Sequence, residues 1–268
     1  MLGRYVKLPI RRFAPPGALL GDDELLLPNR EVPDGAKVGD SLEVFVYLDS
    51  EDRPTATLQK PALTLGQVAF LEITAVERVG AFVDWGLGKE LLVPFAEQSR
   101  EPFVGEKQPI GLYLDKSERL AGTMYVTEML TANRRVSHGE WIDGVAWRND
   151  PDIGLFAILE KQFVGLVPAS EPHRLRRGEP AKFRVAHIQP DGKIVLSLRK
   201  HAHEELADDA TRILAVIARG NVDVGDRSDP DLVRDLFGMS KKAFKRAVGT
   251  LLKAGKVTID RDGYVRAV

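Results

Sequence analysis

The 268-residue chain contains no cysteine. That excludes disulfides, thiolate nucleophiles and thiolate zinc sites, and it fits a reducing cytoplasm. No apolar run approaches the roughly 20 residues that a membrane helix needs. The start, MLGRYVKLPIRRF, has no hydrophobic segment of signal-peptide length. A cytoplasmic protein without membrane contact is expected. Histidine is scarce: of His138, His173, His187, His201 and His203, only the last two are close, beside Glu204 and Glu205. Two histidines fall short of the three or four ligands of a zinc site. "GLGKE" from Gly86 lacks the spacing and the hydroxyl of a phosphate-binding loop and reads as a hairpin turn. Acidic pairs such as Asp22-Asp23 sit among turn residues, with no second cluster to hold the metal ions of a nuclease. No catalytic residue, metal or cofactor is expected, and the chain reads as a non-enzyme.

What is present is a folded, soluble composition, 44% hydrophobic and 29% charged. The net charge of -1 hides an uneven distribution. Residues 1–61 carry 8 Lys/Arg against 10 Asp/Glu, and residues 62–132 carry 6 against 10. Residues 133–203 reverse this with 12 against 8, and residues 204–268 hold 12 against 11. The second half is therefore the part a polyanion meets first.

The chain also repeats itself. "KELLVPFAEQ", residues 89–98, returns as "ELLLPNREVP" from Glu24 and "FVGLVPASEP" from Phe163. A glycine opens each unit, at Gly17, Gly80 and Gly154, and a proline follows 11, 14 and 14 residues later at Pro28, Pro94 and Pro168. A second glycine comes 11, 11 and 10 residues after that, at Gly39, Gly105 and Gly178. Short segments rich in β-branched and aromatic residues, such as "QVAFLEITAVE" and "GAFVDWG", predict about five strands per unit. A closed barrel suits so short a sheet better than a sandwich, because it leaves no open edges. The opening glycine suits a sharp bend at a barrel corner.

The last 65 residues change period. "DDATRILAVIARG" places Ile213, Leu214, Val216 and Ile217 on a helical face. "SDPDLVRDLFG" has a cap and a first-turn proline, Pro230, then Leu232, Val233, Leu236 and Phe237 at helical spacing. "MSKKAFKRAVGTLLKAG" offers Ser240 as N-cap and Gly255 as stop, with Ala243, Phe244, Ala247, Val248, Leu251 and Leu252 inside. A hairpin around Asp262-Gly263 closes the chain. Three helices and a hairpin make a winged helix-turn-helix. The expected fold is mainly β with α: three tandem five-stranded OB-type β-barrels at 1–61 (divergent), 62–132 and 133–203, then a winged helix at 204–268.

"GAFVDWGLGKELLVPFAE" and "GLFAILEKQFVGLVPASE" resemble the RNA-binding OB fold first recognised in ribosomal protein S-one, clearly over residues 62–200 and weakly over 1–61. Three such barrels and a winged helix resemble the conserved virulence factor B (CvfB) family of bacterial RNA-binding regulators. The resemblance implies base-stacking platforms at Phe82 and Phe156, with Leu19 replacing the ring in the first unit. The family's further aromatic is replaced by Val79 and Ile153, and its histidine by Pro94 and Pro168. The alternative for Phe82 and Phe156 is barrel core. Trp85, Phe95 and Phe163 read as packing or turn residues, and Trp141 and Trp147 as packing at the entry to the third barrel.

Cations are better placed than rings. Arg174, Arg176, Arg177, Lys182 and Arg184 crowd the third unit, where Lys182 and Arg184 alternate with Phe183 and Val185 and so point outward. On the third helix Lys241 and Lys245 lie four apart, as do Lys242 and Arg246. Lys242, Lys245, Arg246, Gly249 and Lys253 share the polar face. This is the helix that enters the major groove in helix-turn-helix proteins. Arg261 and Arg266 in the wing extend the strip. Beyond Ser240 and Thr250 the face offers few side chains for reading base edges, so phosphate contact is favoured. A solvated charged surface is the plain alternative for both groups. The expected partner is single-stranded RNA along a basic strip from the third barrel onto the winged helix, for post-transcriptional regulation. DNA is the alternative partner, or a protein met by the acidic first and second barrels.

Overall fold

A computed structural model describes residues 1–131, 136–199, 202–220 and 222–268, with the side chains of 202–208 outside the description. His201, and the side chains of His203, Glu204 and Glu205, lie outside the described residues. Two compact units divide the chain, Met1–Leu198 and Arg199–Val268.

The first unit holds three five-stranded antiparallel-rich sheets built to one plan. In the first, β1 (Tyr5–Ala14), β2 (Gly17–Leu20), β3 (Leu25–Pro28), β4 (Ser41–Leu48) and β5 (Pro54–Thr57) close in the order β1-β2-β3-β5-β4. The third closes identically from β11 (Trp141–Asp150), β12 (Gly154–Leu159), β13 (Phe163–Pro168), β14 (Pro180–Ile188) and β15 (Ile194–Ser197). The second uses β6 (Val68–Glu77), β7 (Gly80–Asp84), β8 (Leu91–Pro94), β9 (Lys107–Leu114) and β10 (Leu120–Thr123) in the order β10-β9-β6-β7-β8. Here the expected closed hydrogen-bonded ring is replaced by packing. A Cβ on Gly122 of β10 would lie 2.9 Å from Val93 of β8, so side chains fill the seam.

Each repeated anchor has a mechanical cause. The opening glycines pair in register with the prolines, Gly17 with Pro28, Gly80 with Pro94 and Gly154 with Pro168. A Cβ at these glycines would sit 1.9, 2.3 and 2.0 Å from the carbonyl oxygens of Leu27, Val93 and Val167. Their φ values of 157°, 147° and 130° add a conformation that other residues rarely adopt. The second glycines clamp the first strand. Gly39, Gly105 and Gly178 each donate an amide hydrogen bond of 2.8 Å, to Ile10, Ile73 and Ala146, and those residues donate back to the residue after the glycine. Immediately beyond the clamp each first strand carries a one-residue bulge, at Arg11, Thr74 and Trp147.

The carboxylate three residues after each proline secures the last strand. Glu31 accepts from the Thr57 hydroxyl (2.5 Å) and the Leu58 amide (2.8 Å). Glu171 accepts from the Ser197 hydroxyl (3.0 Å) and the Leu198 amide (2.7 Å). Glu97 instead accepts from the phenol of Tyr113. Burial first, then the charge and hydrogen bond of Glu97 and the charge of Asp115, push that phenol up to about 12.

The sheets share apolar junctions. Phe45 of the first meets Trp85 of the second edge-to-face at 5.9 Å, so Trp85 is core, as its packing role requires. Val68, Val126, Leu130, Trp147 and Ile158 form a buried cluster between the second and third. Trp147 packs at that entry, whereas Trp141 stands 38% exposed. Phe163 is half-buried, and Phe95 is exposed in the turn after β8.

The second unit is α1 (Ala202–Ile217), α2 (Pro230–Phe237), α3 (Lys241–Lys253) and the wing hairpin β16 (Val257–Ile259) and β17 (Val265–Ala267). Asp229 caps α2, accepting from the Asp231 amide, and Gly238 ends it at φ 64°. Ser240 caps α3 through the Ala243 amide. Ile213, Ile217, Val233, Phe237, Phe244, Val248 and Leu251 share one core. Leu252, expected on the inner stripe of α3, is 37% exposed, and Leu232 of α2 is 41% exposed.

Two stability outcomes follow from this frame. Gly154→Ala drives a methyl into the Val167 carbonyl and is expected to cost about 2–3 kcal/mol, read by urea unfolding with tryptophan fluorescence. The raised Tyr113 phenol keeps its proton in the fold, so it stabilises fully below pH 10.0, and that contribution is lost as pH rises towards about 12. Tyr113→Phe is expected to shallow the loss of stability between those values.

Candidate nucleic-acid interface

The bulge fixes what each barrel shows to solvent. Just past it, one residue of the first strand lines up with one on the second strand and one on the third, all facing outward. In the first barrel the row is Arg12, Leu19 and Leu26. In the second it is Ala75, Phe82 and Leu92. In the third it is Arg148, Phe156 and Leu166. Phe82 and Phe156 are therefore half-buried on the outer face, while their neighbours Ala81, Val83, Leu155 and Ala157 fill the cores. Strand alternation keeps both rings out of their own barrel cores, while Phe156 also packs against the cluster between the second and third barrels.

The three rows differ in charge state. Arg12 is held in a two-pronged pair by Glu24, both contacts 2.8 Å. Phe82 has no cation in its own row. Arg148 lies 4.4 Å from the Phe156 ring centre and 5.1 Å from that of Trp147, exposed and without an ion pair among the described residues. A guanidinium over a ring without a carboxylate partner keeps donors for phosphate or a base. Sequence reasoning passed over Arg148. The one-residue bulge at Trp147 reverses the alternation that simple strand counting assumes, and no residue type marks it in the sequence.

The five other cations assigned to the third barrel do not gather on this row. Arg174 and Arg176 are exposed in the β13–β14 loop, which His173 ties to Asn149 at 3.3 Å. Arg177 serves the junction: it donates to Gln108 at 2.8 Å and lies 5.9 Å from the Phe70 ring centre. Lys182 and Arg184 point outward as expected, with Phe183 and Val185 in the core, but on the β11–β14 face. There Lys182 pairs with Asp143 at 3.5 Å, and Arg184 stands opposite Trp141.

On the winged helix, Lys241 donates to the Ser228 carbonyl at 2.6 Å, and Lys245 pairs with Asp226 at 2.6 Å. That Lys245 hydrogen bond holds the Asp226 carboxyl below its usual range, with help from the charges of Lys241 and Arg227. Lys242, Arg246 and Lys253 share the exposed face of α3 and have no ion pair among the described residues, and neither has Arg261 in the wing. Arg266 does not extend the strip. It is bound to Asp223 (2.6 Å), Asp260 (2.8 Å) and the Val222 carbonyl (3.2 Å), closing the wing onto the segment before α2. Among the described residues no group of three or more His, Asp or Glu could hold a metal, and no described helix is long and apolar enough to cross a membrane.

Comparison with known proteins bears on the same surfaces. An S1 domain family model matches residues 2–59, the unit whose own sequence resembles that fold least, and a CvfB-like winged helix domain model matches residues 211–265. The uncharacterized protein YitL of Bacillus subtilis is 31% identical over 251 residues, spanning 88% of this chain and 83% of that one. Conserved virulence factor B of Staphylococcus epidermidis is 30% identical over 252 residues, spanning 87% and 84%. The chain belongs to the conserved virulence factor B family. Its Staphylococcus aureus relative of that name is 27% identical over 251 residues. Among solved structures, a multidomain protein with nucleic acid binding domains from Streptococcus pneumoniae is 27% identical, with a TM-score of 0.44 over 100% of this chain and 98% of that one. This CvfB-family chain thus matches an S1 domain and a CvfB-like winged helix domain in its two units.

Arg177 separates architecture from binding. Its loss leaves the buried Gln108 amide without a donor, so Arg177→Ala is expected to cost about 1 kcal/mol in urea unfolding. Polynucleotide affinity, measured by anisotropy, is expected to stay within twofold of the parent chain.

Proposed function

We propose that this chain binds single-stranded RNA, with the β12–β13 face of the third barrel as the stacking platform and α3 as a phosphate-contacting element. The observation that carries the reading is the Arg148–Phe156–Leu166 row. Of the three equivalent rows, this is the one that joins an aromatic ring to an arginine with no ion pair among the described residues. OB folds take oligonucleotides on the face of their second and third strands, stacking bases on rings and tracking phosphates with cations. Flexible single strands can lay bases on such a platform, whereas duplexes keep theirs stacked inside.

Duplex sequence reading by α3 is less favoured. The Thr250 hydroxyl bonds back to the Arg246 carbonyl at 3.2 Å, and the Ser240 hydroxyl caps the helix. The exposed face is left with Lys242, Arg246 and Lys253, which suit phosphates better than base edges. The proposed role extends to regulation after transcription, carried out by binding alone.

The test is a fluorescence-anisotropy titration with single-stranded RNA and duplex DNA at matched salt. Arg148→Ala with Phe156→Ala is expected to weaken RNA binding about tenfold or more, the loss of one stacked base. Changing Lys242 and Arg246 to Glu is expected to lower affinity for all polynucleotides and reduce the salt slope by about 2. Tighter binding of duplex DNA, indifferent to the third-barrel pair, would overturn the reading.

A further inference from the structure

The second barrel keeps its ring, and a turn of the first barrel pairs with the cations beside it. Phe82 borders a cavity of about 230 Å³ whose walls also include Lys89, from the turn between β7 and β8, and Arg119, from the turn between β9 and β10. These are the second–third strand face and the fourth–fifth strand loop with which OB folds engage oligonucleotides. Into this space reaches the first barrel's own turn between β4 and β5. Asp52 at its tip pairs with Lys89 at 3.2 Å and with Arg119 at 3.1 Å, one carboxylate oxygen to each. Lys89 is drawn further towards the turn by donating to the Asp49 carbonyl at 2.7 Å. The tip holds Asp52 at φ 59°, a left-handed conformation that costs most residues free energy.

We propose that Phe82, Lys89 and Arg119 form a second site for a single-stranded polynucleotide, in which the Asp52 carboxylate stands in for the phosphate and acts as a competitor within the chain. The proposal rests on the polynucleotide reading above. Two cations bridged by one anion beside a half-buried ring is the arrangement that a phosphodiester stacked through its base would present. All three charged partners are partly solvent-exposed, with side-chain exposures of 38%, 58% and 42% for Lys89, Arg119 and Asp52. Such pairs are weak and salt-sensitive, so an incoming strand can displace the carboxylate. Glu90 and Asp115 border the same cavity. One oxygen of Asp115 is already occupied by the amides of Ser117 and Arg119, so Asp52 is the acid that bridges the cations.

Asp52→Asn and Asp52→Gly both tolerate φ above zero and remove the charge, so the turn keeps its path. In the full chain, titrated with a fluorescein-labelled single-stranded RNA of mixed sequence, either is expected to tighten binding about fivefold. Adding Phe82→Ala to either is expected to return affinity to the parent value, while Phe82→Ala alone changes nothing. Asp34→Asn, an equal charge change at an exposed position away from the cavity, controls for bulk electrostatics. A gain no larger than that of Asp34→Asn, or one that survives Phe82→Ala, overturns the proposal. The parent chain in the same titration reports on the RNA reading itself. Its failure to bind sinks that reading, whereas a parent that binds and an Asp52 variant that matches the control sink only the competitor.

Discussion

One close approach sets up everything that follows in the first unit: a strand carbonyl sits where the side chain of the opening glycine would be. Gly17, Gly80 and Gly154 let the second and third strands of each barrel cross tightly. The second glycine of each repeat then pins the first strand with a reciprocal pair of backbone hydrogen bonds. With the strand pinned on one side, its extra residue has to bulge, and the bulge turns the next residue outward onto the row it shares with the second and third strands. The position that meets solvent in each barrel is thus dictated by backbone geometry. The identity of the residue placed there is free to vary.

That freedom separates the three barrels. The bulge itself carries Arg11, which bonds Asp22, in the first barrel. It carries Thr74, bonded to the Phe82 carbonyl, in the second, and Trp147, buried in the junction, in the third. Trp147 has two consequences. It seals the second barrel against the third, and it offers one of the two rings on which Arg148 rests. Packing energy at a junction and cation placement on a surface are supplied by the same side chain, so the arginine is oriented without needing a carboxylate partner.

Much of this was legible in the sequence because it came in threes. The glycine, proline and second glycine kept register, and five-stranded barrels and the winged helix followed from spacing, caps and apolar period, whereas the strand order and the unpaired seam of the second sheet did not. The repeated carboxylate was visible as a pattern, but its task, bonding the end of the fifth strand through Thr57 or Ser197, needed coordinates. Cations were harder. Lys242, Arg246 and Lys253 could be read from helical period, since one face of a capped helix is set by residue number. Arg177, Lys182, Lys245 and Arg266 could not be sorted, because their partners are Gln108, Asp143, Asp226 and Asp223, at sequence separations no local pattern encodes. Arg148 escaped because alternation fails at a bulge, and a bulge in a ten-residue strand leaves no residue-type signature.

Charge counting along the chain separates two acidic repeats from a basic one, and local pairing sharpens that contrast. The first two repeats are acidic, yet their rows are not silenced by net charge alone. Screening reduces distant charges to little beyond about 8–10 Å in physiological salt, so a regional excess of two to four acids is felt weakly at any one surface point. What acts at contact range is pairing: Glu24 on Arg12, and Asp52 on Lys89 and Arg119. One carboxylate within hydrogen-bond reach of two cations changes the local field more than a distant regional excess does. In the third barrel the corresponding arginine, Arg148, rests on two rings and has no ion pair among the described residues.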